Sequence, residues 1–275
     1  MEFKDIFLNP KEYYNDEFKK TTIYLHHTAG SCRPDYVVSG WNTDSNPDGS
    51  VRKIATPFVI GGMSTSNGDS TWDGVIVRCF PETKWAFHLG AQGTNGLFDK
   101  ISIPIEICNY GPLVLSNTGQ YMNYVHQPVP EDQVVRLDKP FRGYTYYHKY
   151  TDKQLESLRQ LLFYLSSTYN IDLKSGIQEW INKEDLVLPS GLSPLQQQQW
   201  LNQNGFVGLN GKPLIEDGDL GANSQWALSC VGETAFEYNP LTMTGYPGIW
   251  LHSSIRKDKF DLPPQPNLVA LLKSL

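Results

Sequence analysis

At 275 residues, 40% of them hydrophobic and 12% aromatic, the chain is long enough for one large core, or for a core with a small second lobe. The net charge of −6, with no cluster of lysine or arginine, argues against nucleic acid as a partner. No stretch approaches the roughly 18 consecutive apolar residues of a membrane span, and the charged start MEFKDIFLNPKEYYNDEFKK is unlike a secretory signal. The expectation is a soluble protein made in the cytoplasm without a signal peptide. Cys32, Cys79, Cys108 and Cys230 lie far apart with no CxxC spacing, so neither a thiolate zinc cage nor a disulfide framework is expected.

In chain order, the part up to about Gly111 alternates short β-rich runs (TTIYLHH, ATPFVIGG, GVIVRCF, KISIPIEICN) with loops of Gly, Asn, Ser and Asp, and reads as a sheet-forming half. A polar and aromatic excursion from about Pro112 to Tyr147 reads as a long hairpin or loop over the surface. In the helix YTDKQLESLRQLLFYLSSTYNID, Thr151 and Gln154 form a capping box, Tyr150 and Leu155 can make a hydrophobic staple, and Leu155, Leu158, Leu161, Leu162, Leu165 and Tyr169 mark one apolar face. That face should pack on the sheet. From about 174 to 238 the composition shifts to Gln, Asn, Gly and Trp, with a helix start at Ser193-Pro194 and a stop near Gly205. This segment reads as an inserted lobe. The chain closes with PGIWLHSSIRKDKFDLPPQP and a short apolar helix, NLVALLKSL.

Two histidines end the first long run. Side chains alternate along a strand, so Ile23, Leu25 and His27 point one way and Tyr24 and His26 the other, and alternation alone does not say which side holds a site. His26 and His252 both follow β-rich apolar runs, and the pair can share a metal. Nine residues after His252 comes Asp261, and in an extended segment Lys259 projects to the same side as Asp261. Two imidazoles and a carboxylate make a three-ligand zinc set with the fourth position open to water, which is the arrangement of a hydrolytic site. Glu106 is a candidate base: Ile101, Ile103, Ile105 and Ile107 fill one face of its strand, leaving Ser102, Pro104, Glu106 and Cys108 on the other. Pairing with Lys259 is the alternative role for Glu106. Lys259 itself is suited to stabilise a developing oxyanion.

Taken in order, LHHTAG, WAFHLG, SIPIEICNYGPL, YTDKQLESLRQLL and GIWLHSSIRKDKFD resemble the zinc-dependent N-acetylmuramoyl-L-alanine amidases, a family that shares its fold with amidase-type phage lysozymes and peptidoglycan recognition proteins. The resemblance covers about two thirds of the chain. It implies an α/β fold with a central mixed β-sheet flanked by helices, interrupted here by the mainly helical lobe at 174–238. It also implies one zinc ion held by His26, His252 and Asp261, with Glu106 activating water, Lys259 on the oxyanion and His88 lining the substrate groove; a hydrogen-bonded groove or core histidine is the other reading of His88. The implied reaction is hydrolysis of the amide between N-acetylmuramic acid and L-alanine of peptidoglycan. His27 is left as a packing residue.

Three departures stand out. Pro104 replaces the more frequent Gly, suggesting an edge or bulged strand. Leu262 follows Asp261 where Pro is frequent, and the lobe is longer than usual. Within it, SPLQQQQWLNQNGF and EDGDLGANSQWAL resemble a small helical peptidoglycan-binding repeat, with an ordinary structural insertion as the other reading. Trp41, Trp72, Trp85 and Trp250 lie near the motifs, where core packing is the commoner role and a sugar or peptide groove the alternative. His126 and His148 lie outside the motifs and are expected to be solvated or structural.

The expected protein is a monomeric cell-wall hydrolase, a phage lysin or an antibacterial enzyme delivered to rival cells, acting on the wall after release. The competing functions are a muropeptide-binding module without catalysis and a cytosolic amidase that recycles muropeptide fragments.

Overall fold

The computed structural model describes residues 1–232 and 235–275. In chain order the elements are β1 (Lys4–Asp5), β2 (Thr22–His27), α1 (Pro34–Thr43), β3 (Phe58–Ile60), β4 (Ile76–Arg78), α2 (Leu97–Ile101), β5 (Ser102–Ile107), β6 (Pro112–Leu115), β7 (Tyr121–Met122), β8 (Pro128–Val129), β9 (Val134–Phe141), β10 (Tyr144–His148), α3 (Asp152–Tyr169), α4 (Ile177–Ile181), α5 (Pro194–Gln203), α6 (Ala222–Ser229), β11 (Gly248–Leu251), α7 (His252–Ile255) and α8 (Pro266–Lys273). Short 3-10 turns occur at Glu131–Gln133 and Pro240–Thr244. No helix of the described residues is long and apolar enough to cross a membrane. The described cysteines form no disulfide, and Cys79, Cys108 and Cys230 are buried.

Six strands form a mixed sheet in the order β1-β4-β3-β5-β2-β11, parallel throughout except for the antiparallel β3–β4 pair. The central strands are covered on both faces, as near-continuous apolar runs require. On one face Ile23, Leu25, Ile103, Ile105 and Ile107 share a core with the predicted leucines of α3, Leu155, Leu158, Leu161, Leu162 and Leu165. On the other, Val59, Val77, Cys79 and Cys108 pack with Val38 and Trp41 of α1. This is the expected α/β architecture, a central mixed sheet flanked by helices.

Pro104 does not mark an edge or a bulge, because β5 lies between β3 and β2 in unbroken register. Thr21 and Thr28 donate to the carbonyls of Ile101 and Ile107, which aims the odd-numbered groups of β5 at β2, whereas the Cys108 N–H donates to Ile60 O on β3. The missing N–H of Pro104 therefore faces the β3 side, where pairing begins only at Ile105 opposite Phe58. An interior proline leaves no ladder bond unmade here.

Of the two readings of the segment after β5, the hairpin one holds and the loop one does not. The segment forms a five-stranded antiparallel sheet, β8-β7-β6-β10-β9, whose inner side chains include Leu113, Val129, Leu137, Phe141 and Tyr147. Strands of two residues, such as β7 and β8, are too short to display a period-2 pattern.

The helix signals hold. Thr151 Oγ1 accepts from Gln154 N at 3.0 Å and Gln154 Oε1 accepts from Thr151 N at 3.1 Å, so the capping box closes in both directions. Thr151→Ala is expected to cost about 1–2 kcal/mol, seen as a lower urea midpoint with an unchanged slope, while Thr151→Ser stays near the parent.

Within 174–238, α4 packs on α8 and β11, so the start of the segment is continuous with the main body. Beyond it, α5 and α6 pack together. The Ser193–Gln196 capping box opens α5, which ends before Gly205 as expected. Buried Gln198 ties the two helices to the intervening loop: its Oε1 accepts from the N–H groups of Asp217 and Gly218 at 3.1 and 2.8 Å, and its Nε2 donates to Asp219 O and Ser224 Oγ at 2.8 and 3.1 Å.

Candidate metal centre and active site

Parallel register places three functional side chains in a row. His26 on β2 pairs with Glu106 on β5. On the other side of β2, Leu251 of β11 pairs with Leu25, so the next residue, His252, falls beside His26 at the start of α7. Adjacent strands lie about 4.8 Å apart, a spacing from which two imidazoles can converge on one point. Asp261 arrives from an irregular segment after α7. Leu262 follows it with φ +51°, a conformation closed to proline, whose ring fixes φ near −65°. The departure from the family at this position is therefore built into the backbone.

Three donor atoms meet there. His26 Nδ1 lies 3.0 Å from His252 Nδ1 and 3.7 Å from Asp261 Oδ2, and His252 Nδ1 lies 3.0 Å from the same carboxylate oxygen. These spacings bracket the roughly 3.3–3.6 Å edge of a tetrahedron with bonds of about 2.0–2.2 Å, the zinc–nitrogen and zinc–oxygen range. The donor chemistry fits as well. His252 Nε2 lies 3.1 Å from Leu89 O. A carbonyl only accepts, so that nitrogen carries the proton and Nδ1 presents a lone pair. Burial, reinforced by the neighbouring His252, pushes His26 down to about 4, so its ring is neutral at pH 7. Burial alone would raise Asp261, but the His252 and His26 side chains against its carboxylate outweigh it and hold its carboxyl well below the usual range. Lone pairs and an anion converging without a proton to share are the setting a divalent cation satisfies. Among the described residues, this is the group of histidine, cysteine and acidic side chains with metal-binding spacing.

Glu106 stands next to this triangle. Burial pushes its carboxyl well above the usual range, the charge of Asp261 adds to this, and Lys259 opposes it. Glu106 Oε2 is buried with no hydrogen-bond partner, and no ion pair with Lys259 forms among the described residues. A hollow of ≈ 290 Å³ reaches Glu106 between Thr28, Gly30 and Trp41. Through Ser31 and Tyr36 it shares its lining with a ≈ 730 Å³ cleft between the β2–α1 loop and the second sheet. Lys259 is half-buried, and its charge acts on both His26 and Glu106.

Of the two readings of His88, the structure shows the hydrogen-bonded core one. Its side chain is 2% exposed and sits behind His26 rather than lining an open groove, with His88 Nδ1 3.0 Å from His26 Nε2 and His88 Nε2 2.9 Å from Ser102 Oγ. Trp250 and Trp85 are core residues, and Trp72 packs beside α1. Trp41 alone of the four borders the Glu106 hollow. His148 is buried, accepting from Tyr110 N at 3.2 Å, a structural role.

His27 faces the opposite side of β2. Its Nδ1 accepts from Tyr150 Oη at 3.2 Å and from Leu262 N at 3.4 Å, and its ring leaves room at Gly111 for no Cβ, which would stand 2.8 Å from Nε2. It thus anchors the turn that follows Asp261. The adjacent histidines are expected to separate cleanly by alanine replacement. His26→Ala should abolish zinc binding in a titration, while His27→Ala should still bind zinc but lose about 1–3 kcal/mol of stability in a melt.

A family profile described as N-acetylmuramoyl-L-alanine amidase matches residues 18–185, more than half of the chain, including His26, His88 and Glu106. The chain belongs to the N-acetylmuramoyl-L-alanine amidase family, a class of peptidoglycan hydrolases. His252, Lys259 and Asp261 lie beyond the matched stretch, after the 174–238 segment. No curated protein sequence matches the chain. Among solved structures, PlyL is similar at 18% identity, over 63% of this chain and 78% of that one, with a TM-score of 0.38. The amidase AmiD from E. coli, solved with anhydro-N-acetylmuramic acid-L-Ala-D-gamma-Glu-L-Lys, is similar at 16% identity over 95% of this chain and 90% of that one, with a TM-score of 0.36. The amidase LysC from Clostridium intestinale URNW is 17% identical over 61% and 77%, with a TM-score of 0.28. These likenesses are shallow, and membership rests on the family profile.

Proposed function

We propose that this enzyme uses one zinc ion, held by His26, His252 and Asp261, to hydrolyse the amide joining N-acetylmuramic acid to L-alanine. The observation that carries the reading is the convergence of His26 Nδ1, His252 Nδ1 and Asp261 Oδ2 within 3.0–3.7 Å beside the Glu106 carboxyl, whose Oε2 is buried without a partner. When bound, zinc supplies Lewis acidity for the amide carbonyl and lowers the pKa of water to about 7. Glu106 takes the proton from the attacking water and returns it to the departing L-alanine nitrogen, a role suited to a carboxyl held above its usual range. Lys259 places positive charge against the developing oxyanion. The hollow at Glu106 and the cleft that continues from it supply room for a substrate extended on either side of the scissile bond.

The resemblance of SPLQQQQWLNQNGF and EDGDLGANSQWAL, which fall on α5 and on the loop and helix α6, to a peptidoglycan-binding repeat supports reading the 174–238 lobe as a subdomain that holds the enzyme to the wall. The biological setting that suits such an enzyme is that of a phage lysin or a delivered antibacterial amidase. Digestion of purified sacculi with the zinc-loaded protein, followed by mass spectrometry, tests the reaction. Stem peptides with a free L-alanine amine are expected, and new sugar reducing ends or cuts within the peptide would overturn it.

A further inference from the structure

We infer that Ser102 and His88 act as positioning residues that set the tautomer of His26. This rests on the reading of His26, His252 and Asp261 as a metal site. The hydroxyl of Ser102 has one proton, and Ser102 Oγ lies 2.6 Å from Phe98 O, a group that can only accept. That proton is committed to Phe98. Towards His88 Nε2, 2.9 Å away, Ser102 Oγ therefore accepts, and His88 Nε2 carries the hydrogen. A neutral imidazole has one N–H, so His88 Nδ1 is a bare lone pair, and the hydrogen between it and His26 Nε2 at 3.0 Å belongs to His26. His26 Nδ1 is then the lone-pair nitrogen, and it is the atom that faces His252 Nδ1 and Asp261 Oδ2. One hydroxyl, through two rings, directs the basic nitrogen of His26 to the candidate metal position.

The same short segment serves the other histidine. Leu89 O accepts from His252 Nε2, leaving His252 Nδ1 free on its inner side. Asp99, 2% exposed, accepts from the backbone N–H groups of both His88 and Leu89 with a single oxygen, at 2.8 and 3.0 Å. Residues 88–89 are thus pinned from α2 and the first position of β5, and they orient both imidazoles. Hydrogen-bond partners of this kind fix ring orientation and raise ligand basicity, and their loss typically costs 10–100-fold in metal affinity. Neither Ser102 nor Asp99 touches the reacting atoms.

The experiment has two arms. In metal-free wild-type protein, 15N–1H correlation of the histidine rings should show His26 protonated at Nε2 and bare at Nδ1, whether or not metal is later bound; the reverse tautomer overturns the relay. In zinc competition titrations, Ser102→Ala should bind about 10–100-fold more weakly than wild type, with the His26 ring signals split between tautomers, and Ser102→Thr, which keeps the hydroxyl, should recover most of the affinity. Wild-type affinity in a folded Ser102→Ala protein, with an unchanged His26 tautomer, overturns the inference. Failure of the wild type itself to bind zinc would instead remove the metal-site reading, leaving the tautomer assignment to stand on the first arm. Should Ser102→Ala not fold, the wild-type tautomer remains decisive.

Discussion

Glu106→Gln is expected to cut the rate of amide hydrolysis by about 10²–10⁴-fold while zinc content and fold are retained, because an amide of the same shape cannot accept the proton of the attacking water. Its effect on stability should run the other way. Burial and the charge of Asp261 both disfavour the ionised Glu106, and its Oε2 lacks any partner. Such a group costs the folded state stability whatever its role in the reaction, so removing its charge should leave the melting temperature unchanged or raised. The check is product release from sacculi together with metal analysis and a thermal melt of the same sample. Activity within tenfold of the parent would remove Glu106 from the reaction, and a large loss of zinc would make it a ligand.

Asp261→Ala should lose zinc and activity together. The carboxylate contributes the only anionic donor of the triangle, and Nδ1 of both His26 and His252 lies against its Oδ2. A ligand present at a hundred times its Kd stabilises the folded state by about 2.7 kcal/mol. For a chain of this size, that corresponds to a rise of roughly 5–10 °C in melting temperature on adding zinc. Wild-type protein should show this rise, and Asp261→Ala should show none at the same zinc concentration. An equal rise in both would place the stabilising metal elsewhere.

How much of this was legible in the sequence differs from element to element. α3 could be read in full, because its capping box and leucine stripe are local features that tertiary contacts then used without change. Alternation along KISIPIEICN separated Glu106 from the isoleucine face, and the register His26 to Glu106 confirms that the two share a face of the sheet. The same pattern placed Ser102 on the Glu106 face; only the distance to His88 gave that serine a meaning. α1 went unread although Pro34 sits in its first turn, since Gly40 and the polar residues around it dilute the helical period. Pro104 misled because a proline's tolerance depends on which neighbour its nitrogen faces, and strand order is not a local property. The meeting of His26 with His252, 226 residues apart, depends on the same order, with β11 inserted beside β2 at the sheet's edge. His88 was recognisable as a motif residue, but its direction, behind His26 rather than into a groove, follows from how residues 88–89 are tied to Asp99.

The measurement closest to the central claim is anomalous X-ray scattering at the zinc edge from crystals of enzyme that releases stem peptides from sacculi. One strong peak is expected at about 2.0–2.2 Å from His26 Nδ1, His252 Nδ1 and Asp261 Oδ2, with Glu106 beside it and not bonded to it. A peak elsewhere, or an active crystal form with no metal at these three atoms, would contradict the account.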